Sequence, residues 1–320
     1  MIKAQNLTKT FNNHRVVNDI SFEIAEGRTM VFLGTSGCGK TTTLRMLNRL
    51  INPTSGSVYI NGKNICNQVP EQLRRSIGYV LQHNSLFPHY SVLENIAVVP
   101  QLLKWDKRLI RNRAIELMEK LHLSKKLLNA YPRQLSGGEA QRVNIARALV
   151  AKPPILLMDE PFSALDTITR LAIRQEFTAL DELKDKTIVM VTHDVQEAFE
   201  MADIVCLMDK GRIIQQGKPA DLLFHPTNDF VRDFLSDSFL QLALTVTHLV
   251  AVWPYLTAAV STHSVQINLS VNATIAKALT SVKDKNNWDA VISITNGTEQ
   301  KTTSWAGLLQ AYAHYKKESL

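Results

Sequence analysis

Cysteine is scarce in this chain. Cys38, Cys66 and Cys206 are the three among 320 residues, and they form no CxxC pair and no metal-ligand spacing. That excludes a disulfide framework and a thiolate metal site, and it points to a reducing, cytosolic compartment. The opening MIKAQNLTKTF alternates without an apolar core, so no secretory signal is expected. One long uncharged run, FLQLALTVTHLVAVWPYLTAAV at 239–260, is long enough to be tested as a membrane span. Gln241, His248, Pro254 and its three threonines argue instead for buried soluble structure. Acids are outnumbered, 29 against 36 Lys and Arg, giving a net charge of +7. Such a balance suits nucleic acid, an anionic membrane surface or a polyphosphate, and does not choose among them. With 45% hydrophobic and 20% charged residues the chain has material for a full core, and its length suits about two domains.

Through about residue 235, strand-like and helix-like patterns alternate, as in a parallel or mixed α/β sheet. IKAQNLTKTF, HRVVNDISFEIA, TMVFL at 29–33, SVYINGK with its Asn61-Gly62 turn, and IGYVLQ at 77–82 read as strands. KTTTLRML at 40–47 opens a helix, and SVLE at 91–94 fits a capping box. Residues 107–121 place Ile110, Ala114, Leu117 and Leu121 at helical spacing, with the cations on a solvated face. PILLMDE at 154–160 and TIVMVTHD at 187–194 are apolar runs with polar ends. Beyond Asp237 glycine is missing until Gly297, and SVQINLSV, NATIAKALTSV, DAVISIT, an Asn296-Gly297 turn and SWAGLLQAYAHY read as strand, helix, strand, turn, helix. The expected domains are 1–237 and 238–320.

GTSGCGKTT at 34–42 matches G-x-x-x-x-G-K-[ST]. Gly34, Gly37 and Gly39 let the backbone wrap phosphate oxygens closely, with Thr35, Ser36 and Cys38 at the free positions. The helix that follows adds its positive end. Lys40 is placed to reach the β- and γ-phosphates of a nucleotide, and Thr41, ahead of Thr42, to offer a hydroxyl to Mg²⁺. The four apolar residues at 155–158 carry Asp159 and Glu160 to the carboxyl end of a central strand, the edge where open α/β sheets bind ligands. Asp159 is expected to hold Mg²⁺ through water and Glu160 to act as general base on the attacking water.

A second glycine loop, LSGGEAQR at 135–142, stands about a hundred residues downstream. With it the chain resembles the ATP-binding cassette of ABC transporters over about residues 1–235. Ser136, Gly137 and Gly138 match the family signature, SALD at 163–166 matches the D-loop with Asp166, Gln82 the Q-loop glutamine, and His193 the switch histidine. Phe11 stands where the family has the aromatic that stacks on adenine, with phenylalanine in place of the commoner tyrosine. The resemblance implies a P-loop cassette with a mixed-sheet core and a helical subdomain, binding ATP and Mg²⁺. It implies that Gln82, like Asp159, addresses the metal and water, and that His193 contacts the γ-phosphate. It also gives the second loop a purpose: cassettes pair head-to-tail, and the signature of one grips the nucleotide of the other. A second ATPase chain, a homodimer by expectation, is therefore an implied partner.

The segment HNSLFPHYSVLENIAVVPQLLKW at 83–105 is where this family docks a membrane permease, and Leu86, Phe87 and Tyr90 suit a pocket for a permease helix. The strings TLRMLNRLINPTSGSVYINGK and SVLENIAVVPQLLKW look most like the ATPases of osmoprotectant importers, which handle glycine betaine, carnitine, choline or proline. The resemblance then implies an extracytoplasmic substrate-binding protein acting through the permease, a peripheral place on the cytoplasmic face of the inner membrane, and no nucleic acid. Residues 263–317 resemble one degenerate cystathionine-β-synthase-type (CBS) repeat, expected to be regulatory or dimerising, beside a reading as plain structural extension. Two alternatives stand beside the osmoprotectant reading. One is an importer ATPase for another polar solute such as an amino acid. The other is a soluble ABC ATPase acting on nucleic acid or ribosomes, against which stand the lack of a long coiled-coil insertion and of a second P-loop in these 320 residues.

Overall fold

The computed structural model describes residues 1–82, 85–256, 266–284 and 290–319. Two compact units emerge, Met1–Gly217 and Lys218–Leu320.

The first unit opens on a hairpin of β1 (Ile2–Phe11) and β2 (His14–Ile24), with Phe11 opposite His14. The two turn residues, Asn12 and Asn13, have φ of 43° and 62°, the left-handed pair that a two-residue hairpin requires and asparagine tolerates. These strands join β4 (Ser55–Ile60) and β5 (Lys63–Asn64) in an antiparallel sheet ordered β2-β1-β4-β5. The main sheet holds β3 (Thr29–Gly34), β6 (Ile77–Val80), β7 (Ile155–Asp159), β8 (Thr187–Thr192), β9 (Ile204–Asp209) and β10 (Arg212–Gly217), ordered β10-β9-β3-β8-β7-β6. Every neighbouring pair in it is parallel except β9 with the edge strand β10. The inner strands TMVFLG, ILLMD and TIVMVT are apolar along nearly their whole length because both faces of a parallel sheet are covered.

The helices of this unit are α1 (Lys40–Leu47), α2 (Pro70–Arg75), α3 (Val92–Leu102), α4 (Lys107–Lys120), α5 (Gly137–Leu149), α6 (Thr167–Thr178) and α7 (Val195–Met201). Ser91 with Glu94 caps α3 as a capping box, and Ser136 with Glu139 does the same for α5. Three readings from the sequence need correction. The strand at 77–82 ends at Val80, because the Leu81 carbonyl is taken by the Asn144 side chain and not by β7. The charges of α4 are not all solvated: Arg113 is buried, its guanidinium 2.8 Å from Glu116 and 3.2 Å from Glu182. Of the three residues read as suiting a permease pocket, Leu86 is buried, and only Phe87 and Tyr90 are exposed, at 47% and 45%.

The second unit contains α8 (Pro219–Phe224), α9 (Asp229–Ser236), α10 (Phe239–Val246), α11 (Leu249–Val252), β11 (Gln266–Ser270), α12 (Ile275–Asp284), β12 (Val291–Asn296), β13 (Glu299–Thr303) and α13 (Trp305–Ser319). Its boundary lies earlier than the expected residue 237, because α8 packs on α10 and α9. β11 runs parallel to β12, and β13 returns antiparallel through a tight turn at Gly297 (φ 62°). β13 is absent from the sequence reading, since EQKTT carries no strand signal of its own and is held by pairing with β12. The apolar run from Phe239 is broken at Thr247-His248 into two short helices, and no helix among the described residues is long and apolar enough to cross a membrane. Parts of the readings at 83–84, 257–265 and 285–289 lie outside the described residues.

Candidate functional site

Because β3, β6, β7 and β8 are parallel, their carboxyl ends share one edge, and the segments leaving them converge there. From β3 comes the 34–39 loop, which turns into α1. Two glycines are indispensable to it: a Cβ on Gly34 would meet the Met208 carbonyl at 2.2 Å, and one on Gly39, whose φ is 104°, would meet the Val16 carbonyl at 2.7 Å. The first bond of α1 runs from the Thr43 N–H to the Gly39 carbonyl at 2.9 Å. The N–H groups of Lys40, Thr41 and Thr42 therefore have no acceptor within the helix and are free for an anion. Lys40 is buried, its Nζ donating to the carbonyls of Gly34 and Thr35, each at 2.8 Å. A cleft of about 280 Å³ lies against this loop, lined by Ser36, Gly37, Lys40, Thr41, Gln82 and Glu160 among others. Cys38 is buried beneath the loop, where burial pushes its thiol pKa up, and with Gly34 and Thr35 it does not line the cleft.

Asp159, the last residue of β7, is fully buried. Its Oδ1 accepts the Thr41 hydroxyl at 2.7 Å, and its Oδ2 has no hydrogen-bond partner, with the Arg45 guanidinium 3.7 Å away. Burial is the main cause that raises its pKa, and the Thr41 bond and Arg45 oppose it. Glu160 steps off the strand at φ 43°, its N–H donating to the Val191 carbonyl at 2.9 Å. That left-handed step turns its carboxylate toward the cleft, and such backbone strain in a non-glycine residue clusters at functional sites. On its Oε2 two groups converge: Gln82 Nε2 donates at 3.1 Å, and His193 Nδ1 lies 3.1 Å away. His193 follows β8 directly, and Gln82 stands two residues past β6.

The second glycine loop lies elsewhere. Ser136, Gly137 and Gly138 line a recess of about 390 Å³ together with Asp166, and this recess shares no lining residue with the 280 Å³ cleft. Asp166 caps α6 by accepting from the N–H groups of Ile168 and Thr169 at 3.2 and 3.1 Å. Phe11 is 42% exposed at the hairpin end, with Lys9 Nζ 4.8 Å over its ring, and it is not in the wall of the cleft. Arg45 and Tyr79 escaped the sequence reading. Arg45 was one more cation on a helix, and the buried Tyr79 hydroxyl, its pKa raised by burial and then by Asp159, sat inside an apolar strand.

A family model described as ABC transporter matches residues 17–163. The chain is 47% identical over 236 residues to the glycine betaine/carnitine/choline transport ATP-binding protein OpuCA of Bacillus subtilis (strain 168), a match covering 73% of this chain and 62% of that protein. It is 48% identical over 251 residues to the glycine betaine uptake system ATP-binding protein YehX of Escherichia coli (strain K12), covering 78% of this chain and 82% of that one. Among solved structures, a dimeric post-hydrolysis state of the ATP-binding cassette MJ0796 bound to ADP and Pi superposes with a TM-score of 0.62 at 34% identity, over 68% of this chain and 98% of that one. The chain thus spans less than two thirds of the length of the first of these relatives. The phosphate loop, the paired acids and the signature loop occur together in a chain with these relatives, and the protein belongs to the ABC transporter ATP-binding family.

Proposed function

We propose that this chain is the ATP-hydrolysing subunit of an ABC importer that takes up a quaternary-amine osmoprotectant through a separate permease. The observation that carries the ATPase reading is the convergence of Gln82 and His193 on the Glu160 carboxylate beside the phosphate loop. Lys40 exchanges its two carbonyl partners for phosphate oxygens when ATP enters, and the N–H groups at the head of α1 hold the remaining phosphate charge. Mg²⁺ fits Thr41, Gln82 and Asp159: these are hard oxygen donors, and the buried Asp159 Oδ2 lacks a hydrogen-bond partner. Bound there, the metal would neutralise charge on the β- and γ-phosphate oxygens. Glu160 accepts the proton of the attacking water, Gln82 and His193 hold its carboxylate in place, and His193 reaches the γ-phosphate. Phe11 stacks on the adenine.

The separate recess of Ser136, Gly137 and Gly138 supports a head-to-tail homodimer, in which this loop and Asp166 complete the partner's nucleotide site. Phe87 and Tyr90, an exposed aromatic pair with ring centroids 5.3 Å apart, offer the docking point for a permease helix. The quaternary-amine assignment is supported by the solutes in the names of the relatives. In this reading an extracytoplasmic binding protein delivers the solute to the permease, and the chain lies on the cytoplasmic face of the membrane. The second unit is a regulatory or dimerising domain, a degenerate CBS-like repeat whose three-stranded sheet and helices α12 and α13 support that view.

The test is the complex with its permease in liposomes, assayed for ATPase against glycine betaine, carnitine, choline, proline and other amino acids. Stimulation by a quaternary amine is the expected result. Stimulation by a different amino acid alone would move the chain to another importer class, and salt-sensitive binding of nucleic acid without a permease would overturn transport.

A further inference from the structure

Gln141, Asn144 and Arg147 stand three residues apart on α5, so they share one helix face. Gln141 and Asn144 are buried, and Arg147 is half-buried. Apolar side chains would pack such a face, yet each of the three aims a donor at a main-chain carbonyl outside the helix. Gln141 Nε2 donates to the Pro161 carbonyl. Asn144 Nδ2 donates to the Leu81 carbonyl at 3.2 Å. Arg147 Nη1 donates to the Ser85 carbonyl at 2.8 Å, and its Nη2 reaches Ser85 Oγ and Asn144 Oδ1, both at 2.7 Å.

The targets have a pattern. Pro161 follows Glu160, and Leu81 and Ser85 stand on either side of Gln82. Both segments that meet in the Gln82–Glu160 hydrogen bond are therefore hung from a single helix. The head of that helix is the Ser136-Gly137-Gly138 loop, in its own recess. A fully bonded buried polar set fixes one geometry where an apolar face would permit several. The hydrogen bonds thus form a continuous connection from the helix that begins at this loop to the segments of Gln82 and Glu160.

We infer that Gln141, Asn144 and Arg147 are positioning residues through which contact at the signature loop of one chain sets that chain's own Gln82–Glu160 pair, coupling the two nucleotide sites of the dimer. The inference rests on the proposed reading, in which the signature loop serves the partner's nucleotide while Gln82 and Glu160 serve the chain's own. Such coupling is reciprocal, so ATP held by a chain also changes how that chain presents its signature loop.

The experiment uses the full chain and reads three quantities: the Hill coefficient of steady-state ATP hydrolysis, ATP affinity of the monomer, and the melting temperature. Wild type is expected to give a Hill coefficient above one, toward the two sites of a dimer. Asn144→Leu and Arg147→Met should keep monomer affinity within about twofold while the coefficient falls toward one, the size of effect that loss of a coupling of a few-fold produces. Arg147→Lys keeps one donor for the Ser85 carbonyl and should retain part of the cooperativity, and it stays decidable should the harsher variants fail to fold. Val143→Ala thins the buried core of the same helix; it should lower the melting temperature and leave the coefficient unchanged. A folded Arg147→Met or Arg147→Lys protein with wild-type cooperativity overturns the inference, as does an equal loss in Val143→Ala. A wild-type coefficient of one in an active ATPase overturns it alone, whereas a wild-type chain that hydrolyses no ATP overturns the proposed function and the inference with it.

Discussion

Gln82 and His193 meet on a single oxygen, Oε2 of Glu160, each at 3.1 Å. They arrive from the ends of different strands, β6 and β8, on either side of β7, so the contact exists only when the sheet order β8-β7-β6 is in place. A carboxylate gripped from both sides is held in one rotamer, which is what a general base needs before water is in position.

Replacing Glu160 by Gln keeps the size of the side chain and removes its basicity. The left-handed backbone step is unchanged, so the fold should be kept. Turnover should fall about a hundredfold or more, the scale of general-base contributions. ATP binding should persist, and size-exclusion chromatography with ATP should show a trapped dimer. Wild-type turnover in this variant would remove Glu160 from the role.

The two signature glycines separate structure from function. A Cβ on Gly137 meets nothing within 4 Å, and an acid at the first position of α5 complements the helix dipole. Gly137→Asp should therefore melt with wild type and bind ATP as a monomer, yet fail to dimerise with ATP, since its charge opposes the partner's γ-phosphate. A Cβ on Gly138 instead lies 2.9 Å from the Thr169 methyl. Gly138→Ala should lower the melting temperature by a few degrees, on the scale of about 1 kcal/mol of overpacking. ATP-dependent dimers of Gly137→Asp at wild-type affinity would contradict the shared site.

Much of this site was legible because its parts are local. The 34–42 loop, the Asp159-Glu160 pair and the Ser136-Gly137-Gly138 loop are each short contiguous motifs, and the strand-loop order supplies the rest. What escaped depends on partners distant in the chain. Arg45 looks like any helical cation until β7 brings Asp159 to 3.7 Å, and Arg113 looks solvated until Glu182 arrives from the far side of the unit's sequence. The polar stripe of α5 reads as ordinary hydrophilic spacing, because its acceptors are main-chain carbonyls that leave no mark in the sequence. The boundary at Gly217 was missed for a similar reason: Gly217 and Pro219 punctuate the chain there, but nothing local tells which unit α8 and α9 pack on.

Glu197 offers a pH-dependent check. It is buried on α7, its Oε2 accepting the Thr192 hydroxyl at 2.7 Å. Burial is the largest cause that raises its pKa, Asp194 adds to it, and Thr192, Arg174 and Arg170 oppose. A carboxyl raised on folding binds more protons in the folded state, so stability declines as pH rises from the ordinary glutamate range, about 4.3, through the raised value. Glu197→Gln keeps the acceptor and removes the buried charge. At pH 7.5 the variant should melt above wild type. The difference should close as pH approaches the ordinary glutamate value. A variant less stable than wild type at pH 7.5 would show that the charge is compensated by its arginines.

Phe11 tests a predicted adenine contact that lies outside the wall of the cleft. The ring is 42% exposed at the tip of the β1–β2 hairpin, with Lys9 Nζ over it. Truncation there removes little packing, so Phe11→Ala should melt within a degree or two of wild type. Stacking on a base is worth about 1–3 kcal/mol, so ATP affinity should weaken by roughly tenfold or more, while Phe11→Tyr should bind as wild type. Stacking does not read hydrogen-bond edges, so ATP and GTP should lose affinity by equal factors. Unchanged ATP affinity in Phe11→Ala, measured by equilibrium titration, would place the adenine elsewhere and leave the hairpin tip without a part in nucleotide binding.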